Sequence, residues 1–222
     1  MKRLIFQYLC QFVLLFLMIS ISINAQDWID IIKEWPYDVT SNYDYFGCSV
    51  AMSGNIAVAG AYGEDYDVNN QNEIETAGAA YILYKDQGGI NNWGIVKKLT
   101  ANEREKNDYF GWSVAISGNY IVVGAYKEDD NAVNSDSVAD AGSAYVFYKD
   151  QGGTDQWGLV KKIVASDRQT EDWFGYSVSI SGDYVVVGAL QEDEDRTGGN
   201  TLSSSGSAYV FYKDKDGPDN WG

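Results

Sequence analysis

An all-β fold assembled from three copies of one four-stranded unit is what this sequence predicts. The first observation is a phrase, Asp-aromatic-Phe-Gly, that occurs as Asp44-Tyr45-Phe46-Gly47, Asp108-Tyr109-Phe110-Gly111 and Asp172-Trp173-Phe174-Gly175, with both intervals equal to 64 residues. A fixed period of this length marks a repeat architecture, in which each unit buries its apolar face against the next copy. The second is that no helical period follows the first 25 residues. The third is that each unit offers four short strand-like runs separated by turn residues, which is the make-up of one β-propeller blade.

The elements follow in order. After Phe-Gly comes a short alternating run, as in Trp112-Ser113-Val114-Ala115-Ile116-Ser117. It ends at Ser53-Gly54-Asn55, Ser117-Gly118-Asn119 or Ser181-Gly182-Asp183, the residues a tight hairpin with positive φ demands. The second run, Tyr120-Ile121-Val122-Val123-Gly124-Ala125 in the middle unit, is apolar throughout and predicts a strand covered on both faces. An acidic loop of about 16 residues follows, Tyr62 to Ala77 in the first unit, as expected of a surface connection. The third strand opens on Gly78-Ala79-Ala80-Tyr81, Gly142-Ser143-Ala144-Tyr145 and Gly206-Ser207-Ala208-Tyr209, where small residues allow backbones to crowd. The fourth is typified by Trp157-Gly158-Leu159-Val160-Lys161-Lys162-Ile163. The repeats therefore run over about 44–107, 108–171 and 172–222.

Both ends of the chain differ from this pattern. Lys2 and Arg3 precede an apolar stretch from Leu4 to Ile23, interrupted by Gln7 and Gln11, and Ala25 meets Gln26. That order predicts a signal peptide over 1–25 and a secreted or cell-surface location for 26–222, with no membrane span once it is removed. Trp28-Ile29-Asp30-Ile31-Ile32-Lys33 matches Trp93-Gly94-Ile95-Val96-Lys97-Lys98, so a fourth-type strand is expected over 28–34. The sequence stops at Trp221-Gly222, where another such strand would begin. Three blades are fewer than the four to eight that close a ring. Two readings stay open, a partial propeller from a longer chain and an open array that self-associates through its exposed blade edges.

Composition excludes several functions. The net charge is −16, and loss of the leader removes two cations and no acid, giving −18. Such a surface repels phosphate backbones, which argues against nucleic acid as a partner. There is no histidine, which removes Ser-His-Asp and Cys-His catalysis and histidine-ligated metals. Beyond the leader only Cys48 remains, so no intramolecular disulfide forms; it holds the repeat position of Trp112 and Tyr176 and is expected to be buried.

Phe-Gly followed about 13 residues later by Gly-Ala, at Gly60-Ala61, Gly124-Ala125 and Gly188-Ala189, resembles the FG-GAP repeat of integrin-α-like propellers and of bacterial exported proteins. The resemblance covers Trp28 to Trp221, and a leader ending in Asn-Ala-Gln is similar to bacterial export signals. It implies a noncatalytic binding or adhesion module. The proline of the motif is replaced by Tyr62, Tyr126 and Leu190. The calcium loop that such repeats carry between their first two strands is replaced by the three-residue turns, too short for the six to eight oxygens calcium takes.

Candidate chemistry rests on the acidic loops. Glu64, Asp65 and Asp67, then Glu128, Asp129 and Asp130, then Glu192, Asp193 and Asp195 are the candidate metal ligands, and calcium is the cation such oxygens would take outside the cell. No cofactor is required by the pattern. The competing reading is a solvated acidic rim held by Asx turns. Asp44, Asp108 and Asp172 are expected to bond backbone at the approach to each blade. A catalytic carboxylate pair needs two unlike environments; these acids recur alike in all three units, which argues against an enzyme. The partner is expected to be an extracellular protein or a glycan. Phe46, Phe110, Phe174, Trp93 and Trp157 read as core or inter-blade residues, with sugar stacking the alternative for any exposed tryptophan.

Overall fold

The computed structural model describes residues 42–222 apart from 91, 134, 196–198, 200, 201 and 216. The chain separates into residues 1–31 and 32–222, and every described residue belongs to the second unit. The predicted leader over 1–25 and the strand expected over 28–34 lie outside the described residues.

The described chain is all β. Strands β1 (Val50–Ser53), β2 (Ile56–Ala61), β3 (Ala79–Tyr84) and β4 (Gly94–Leu99) form one antiparallel sheet in sequence order. Strands β5 (Ser113–Ser117), β6 (Tyr120–Ala125), β7 (Ser143–Tyr148) and β8 (Gly158–Ile163) form the second in the same order. Strands β9 (Phe174–Ser181), β10 (Tyr184–Ala189) and β11 (Ser207–Tyr212) form a third sheet of three strands. Each unit is thus one blade, and the blades stack in sequence order.

The hairpin residues act as expected. Ser53 pairs Ile56, Ser117 pairs Tyr120 and Ser181 pairs Tyr184, leaving Gly54, Gly118 and Gly182 at φ 58°, 56° and 54° in the turns. The fourth strand carries a feature the alternating pattern does not announce. Ile82 pairs Lys97 and Leu83 pairs Ile95, so Val96 is an extra, bulged residue, and Val160 repeats this between Lys161 and Leu159. A bulge re-aims the residues beyond it. Here Lys98 is set directly opposite Tyr81, and Lys162 opposite Tyr145.

The core lies between blades. Val58, Ala80, Ile82 and Leu99 of the first sheet are buried against Phe110, Val114, Ile121, Phe147 and Trp157 of the second. The same positions of the second sheet, Val122, Ala144, Val146 and Ile163, are buried against Phe174, Val185, Val187 and Trp221 of the third. Close approach at the junction requires glycine. A Cβ on Gly60 would collide with the Gly111 carbonyl, and one on Gly124 with that of Gly175. Phe110 and Phe174 reach the preceding blade by parallel bridges to Gly78 and Gly142.

Candidate functional site

The loops that follow β2, β6 and β10 leave the same side of each blade as the Phe-Gly turns. Gly63 N–H donates to the Asp44 carbonyl at 3.2 Å, and Gln191 N–H donates to that of Asp172 at 3.2 Å. Two groups of side chains therefore share one edge of the array, the loop carboxylates and the aromatics that flank each Phe-Gly.

The first carboxylate of every loop is not at the surface. Glu64, Glu128 and Glu192 are 1–2% exposed. Glu64 accepts the Tyr66 N–H at 2.9 Å and the Tyr81 hydroxyl at 2.8 Å, and faces the Lys98 ammonium at 3.3 Å. Glu128 accepts the Asp130 N–H at 3.0 Å and the Ser143 hydroxyl, and pairs with Lys162 at 2.8 Å. Lys162 also reaches Glu103 at 3.1 Å, to which the Tyr145 hydroxyl donates at 2.9 Å. Burial raises the Glu128 carboxyl, and Lys162 and Ser143 work against that rise. Glu192 accepts the Glu194 N–H at 3.1 Å, and the Tyr209 hydroxyl lies 2.8 Å from both Glu192 and Asp167.

The remaining loop acids shape backbone. Asp65 accepts the Thr76 N–H and Asp129 the Asp140 N–H, each at 2.7 Å, closing the far end of the loop. Asp67 accepts the Asn69 and Gln71 N–H groups at 2.8 and 3.0 Å and the Asn72 amide at 2.6 Å, an Asx turn. These bonds, led by Gln71, hold its carboxyl below the usual range. Asp195 accepts the Gly199 N–H at 3.2 Å; the Asp193 carbonyl accepts the Leu202 N–H at 2.7 Å, and Asp130 bridges to Ser137. Among the described residues no group of three or more acidic or cysteine side chains is gathered so as to hold a metal ion.

Two arginines absent from the sequence reading lock the loops from the following segment. Arg104 donates to the Asp65 carbonyl at 2.6 Å and to that of Asn72 at 2.9 Å, and Arg168 donates to the Asp129 carbonyl. Their 64-residue spacing was the available signal. Two of the phrase aspartates bond backbone just upstream of the Phe-Gly turn, Asp108 accepting the Glu105 N–H and Asp172 the Gln169 N–H. Burial pushes Asp108 up to about 8 and Asp172 up to about 6, against the lowering effect of those bonds.

The aromatics form a continuous ladder along the same edge. Tyr45 stacks on Tyr62 with ring centroids 4.8 Å apart, and Tyr62 meets Trp112 at 4.9 Å. Trp112 meets Tyr126 at 4.8 Å, and Tyr126 meets Trp173 at 5.3 Å and Tyr176 at 5.4 Å. Tyr126 is buried within it, which pushes its hydroxyl up to about 12. Tyr45, Tyr109 and Trp173 hold φ of 55°, 57° and 58°, a strained setting for a large side chain. Each is fixed by a turn, the Cys48, Trp112 and Tyr176 N–H groups donating back to their carbonyls at 3.0–3.2 Å. Sequence reasoning assigned these positions singly and missed the ladder, because its rungs come from different blades.

One expectation changes. Cys48 is exposed rather than buried; it stands at the first rung of the ladder, where a short thiol meets the Gly111 carbonyl at 3.4 Å instead of joining the rings. The tryptophans that precede the fourth strands follow the core reading: Trp157 and Trp221 are 1% and 2% exposed and Trp93 is half-buried. The Trp157 indole N–H donates to the Tyr84 hydroxyl at 2.8 Å.

A family model described as FG-GAP repeat matches residues 36–84, 93–147 and 157–211, most of the chain. No curated protein matches it. Among solved structures, the crystal structure of the computationally designed Ika8 protein aligns at 14% identity with a TM-score of 0.31, over 74% of this chain. The chain spans 45% of that protein's length. Among the described residues no helix is long and apolar enough to cross a membrane.

Proposed function

The chain belongs to the FG-GAP repeat family, and from that premise we propose that it is an exported, noncatalytic binding or adhesion module that engages an extracellular protein or glycan along the loop edge of its blades. The observation that carries this reading is the aromatic ladder from Tyr45 to Tyr176, in which rings from three blades line one edge. Tyrosine and tryptophan supply much contact area at low conformational cost and dominate the energetics of recognition surfaces. The strained backbone at Tyr45, Tyr109 and Trp173 supports the same reading, since strain held in place at three equivalent positions concentrates where a surface is preorganised.

The loop acids support a noncatalytic role. Glu64 and Glu128 are closed off by lysines, and Asp65, Asp67 and Asp129 are engaged with their own loops. A carboxylate pair with one member poised as acid and the other free to face substrate does not emerge from these partners. The test is a paired assay of the labelled chain. Saturable retention on intact cells, immobilised matrix proteins or a glycan array, with no turnover of a polysaccharide panel, is the expected result. Polysaccharide turnover lost on changing one unit's acids would reverse the reading.

A further inference from the structure

The two internal junctions are built alike, each with a leading face on one blade and a receiving face on the next. The leading face offers Val58, Ala80 and Ile82 on the first sheet and Val122, Ala144 and Val146 on the second, all between 0 and 1% exposed. The third sheet carries the same positions as Val186, Ala208 and Val210, and there Val186 is 37% and Val210 64% exposed. The receiving face of the second sheet uses Phe110, Val114, Ile116, Ile121, Val123 and Phe147, all inside the core. Among the described residues, the same six positions of the first sheet, Phe46, Val50, Met52, Ala57, Ala59 and Leu83, line an open apolar groove.

Polar groups repeat in the same way. Ser49 Oγ donates to the Gly111 carbonyl at 2.9 Å, and Ser113 Oγ to that of Gly175 at 2.7 Å. Gly118 N–H donates to Ser53 Oγ at 3.1 Å, and Gly182 N–H to Ser117 Oγ at 3.2 Å. Phe110 N–H donates to the Ala77 carbonyl and Phe174 N–H to that of Ala141, at 3.0 and 2.9 Å. The third sheet holds Ser177, Ser181 and Ser205 at the leading positions, and the first sheet holds Gly47, Gly54 and Phe46 at the receiving ones. At Gly188 an added Cβ would meet only Ser177 of its own sheet, whereas at Gly60 and Gly124 it would strike the next blade's carbonyl.

We propose that the leading face of the third sheet docks onto the receiving face of the first sheet of a second copy of this chain, as a head-to-tail junction continuous with the two internal ones. The occupant is a second copy because the face continues an interface the chain already makes twice, and because the matching groove is on the same chain. The contact is heterologous, so each copy offers one face and receives on the other. It goes beyond the loop-edge reading and is independent of what that edge binds.

The test is sedimentation of the full chain over a wide concentration range, with two face variants. One is Val186→Glu with Val210→Glu; the other is Val50→Glu with Met52→Glu. The wild type is expected as two or more copies, and each variant as a folded monomer with an unchanged far-ultraviolet spectrum. An equimolar mixture of the two variants retains one intact pair of faces, so it forms a one-to-one dimer and nothing larger. If the leading-face variant does not fold, Ser177→Arg, at an exposed side chain, blocks the same contact and gives the same mixing result. A wild type that stays monomeric throughout overturns the proposal. So does a mixture that remains monomeric, or a leading-face variant that still associates with itself.

Discussion

Lys162 reaches the Glu128 carboxylate at 2.8 Å from a position 34 residues further along the chain, and the two side chains are 5% and 2% exposed. The bulge at Val160 sets this lysine opposite Tyr145, so an irregularity in strand pairing positions the cation for a loop acid. Removing one partner of a buried pair strands the other charge. Lys162→Met is expected to lower the unfolding free energy by about 3–5 kcal/mol in urea titrations. Adding Glu128→Gln to that variant should recover part of the loss.

Stability is expected to fall as pH rises from about 4 to about 8. The Asp108 carboxyl sits at about 8 in the folded chain, chiefly through burial and then through the Glu128, Glu105 and Asp129 charges, against an ordinary 3.8. Between those limits the folded state keeps a proton that the unfolded state has released, so its contribution is full at the acidic side and lost at the basic side. Asp172, at about 6, adds to the lower half of the window. Melting temperatures across this range should slope downward in the wild type. Asp108→Asn, which retains an acceptor for the Glu105 N–H, should flatten the slope.

Gly124→Ala places a Cβ against the Gly175 carbonyl of the next blade. Overpacking of this kind costs about 1–3 kcal/mol, read as a lowered denaturation midpoint. Gly188→Ala meets only its own sheet. In dilute monomer its midpoint should stay near that of the wild type, and equal losses for the two variants would contradict the junction geometry.

Calcium is expected to leave the melt unchanged. The carboxylates that open the first two loops already face Lys98 and Lys162, and the next acids bond loop N–H groups. Overlapping melting curves with added calcium and with chelator are the expected result; a calcium-dependent rise would show that the loops hold the cation.

Much of this was legible in the residues. The 64-residue interval, the Ser-Gly-Asn turns and the Gly-small-Ala-Tyr openings place the hairpins and strands, because each of those signals is local. The fate of Glu64 was not, since it depends on a lysine on the fourth strand whose direction is set by the Val96 bulge. A composition of acids on a loop looks the same whether its first member is solvated or closed off. The aromatic ladder was hidden for a different reason: Tyr62 and Trp112 belong to neighbouring blades, and only stacking at the junction brings them within 4.9 Å. Cys48 shows the limit of reading by register, because it is exposed while Trp112 and Tyr176, the rings at its repeat position, are themselves only half-buried.

In the proposed role, the aromatic edge would recognise the partner while the loop acids hold the edge in shape. Binding to whichever cell surface, matrix protein or glycan retains the wild type is the measurement, made in parallel on Tyr109→Ala with Trp112→Ala and on Asp67→Asn with Asp130→Asn. At least a tenfold loss of affinity, about 1.4 kcal/mol, is expected for the aromatic pair and wild-type affinity for the acid pair. Undiminished binding by the aromatic variant, or loss confined to the acid variant, would contradict it.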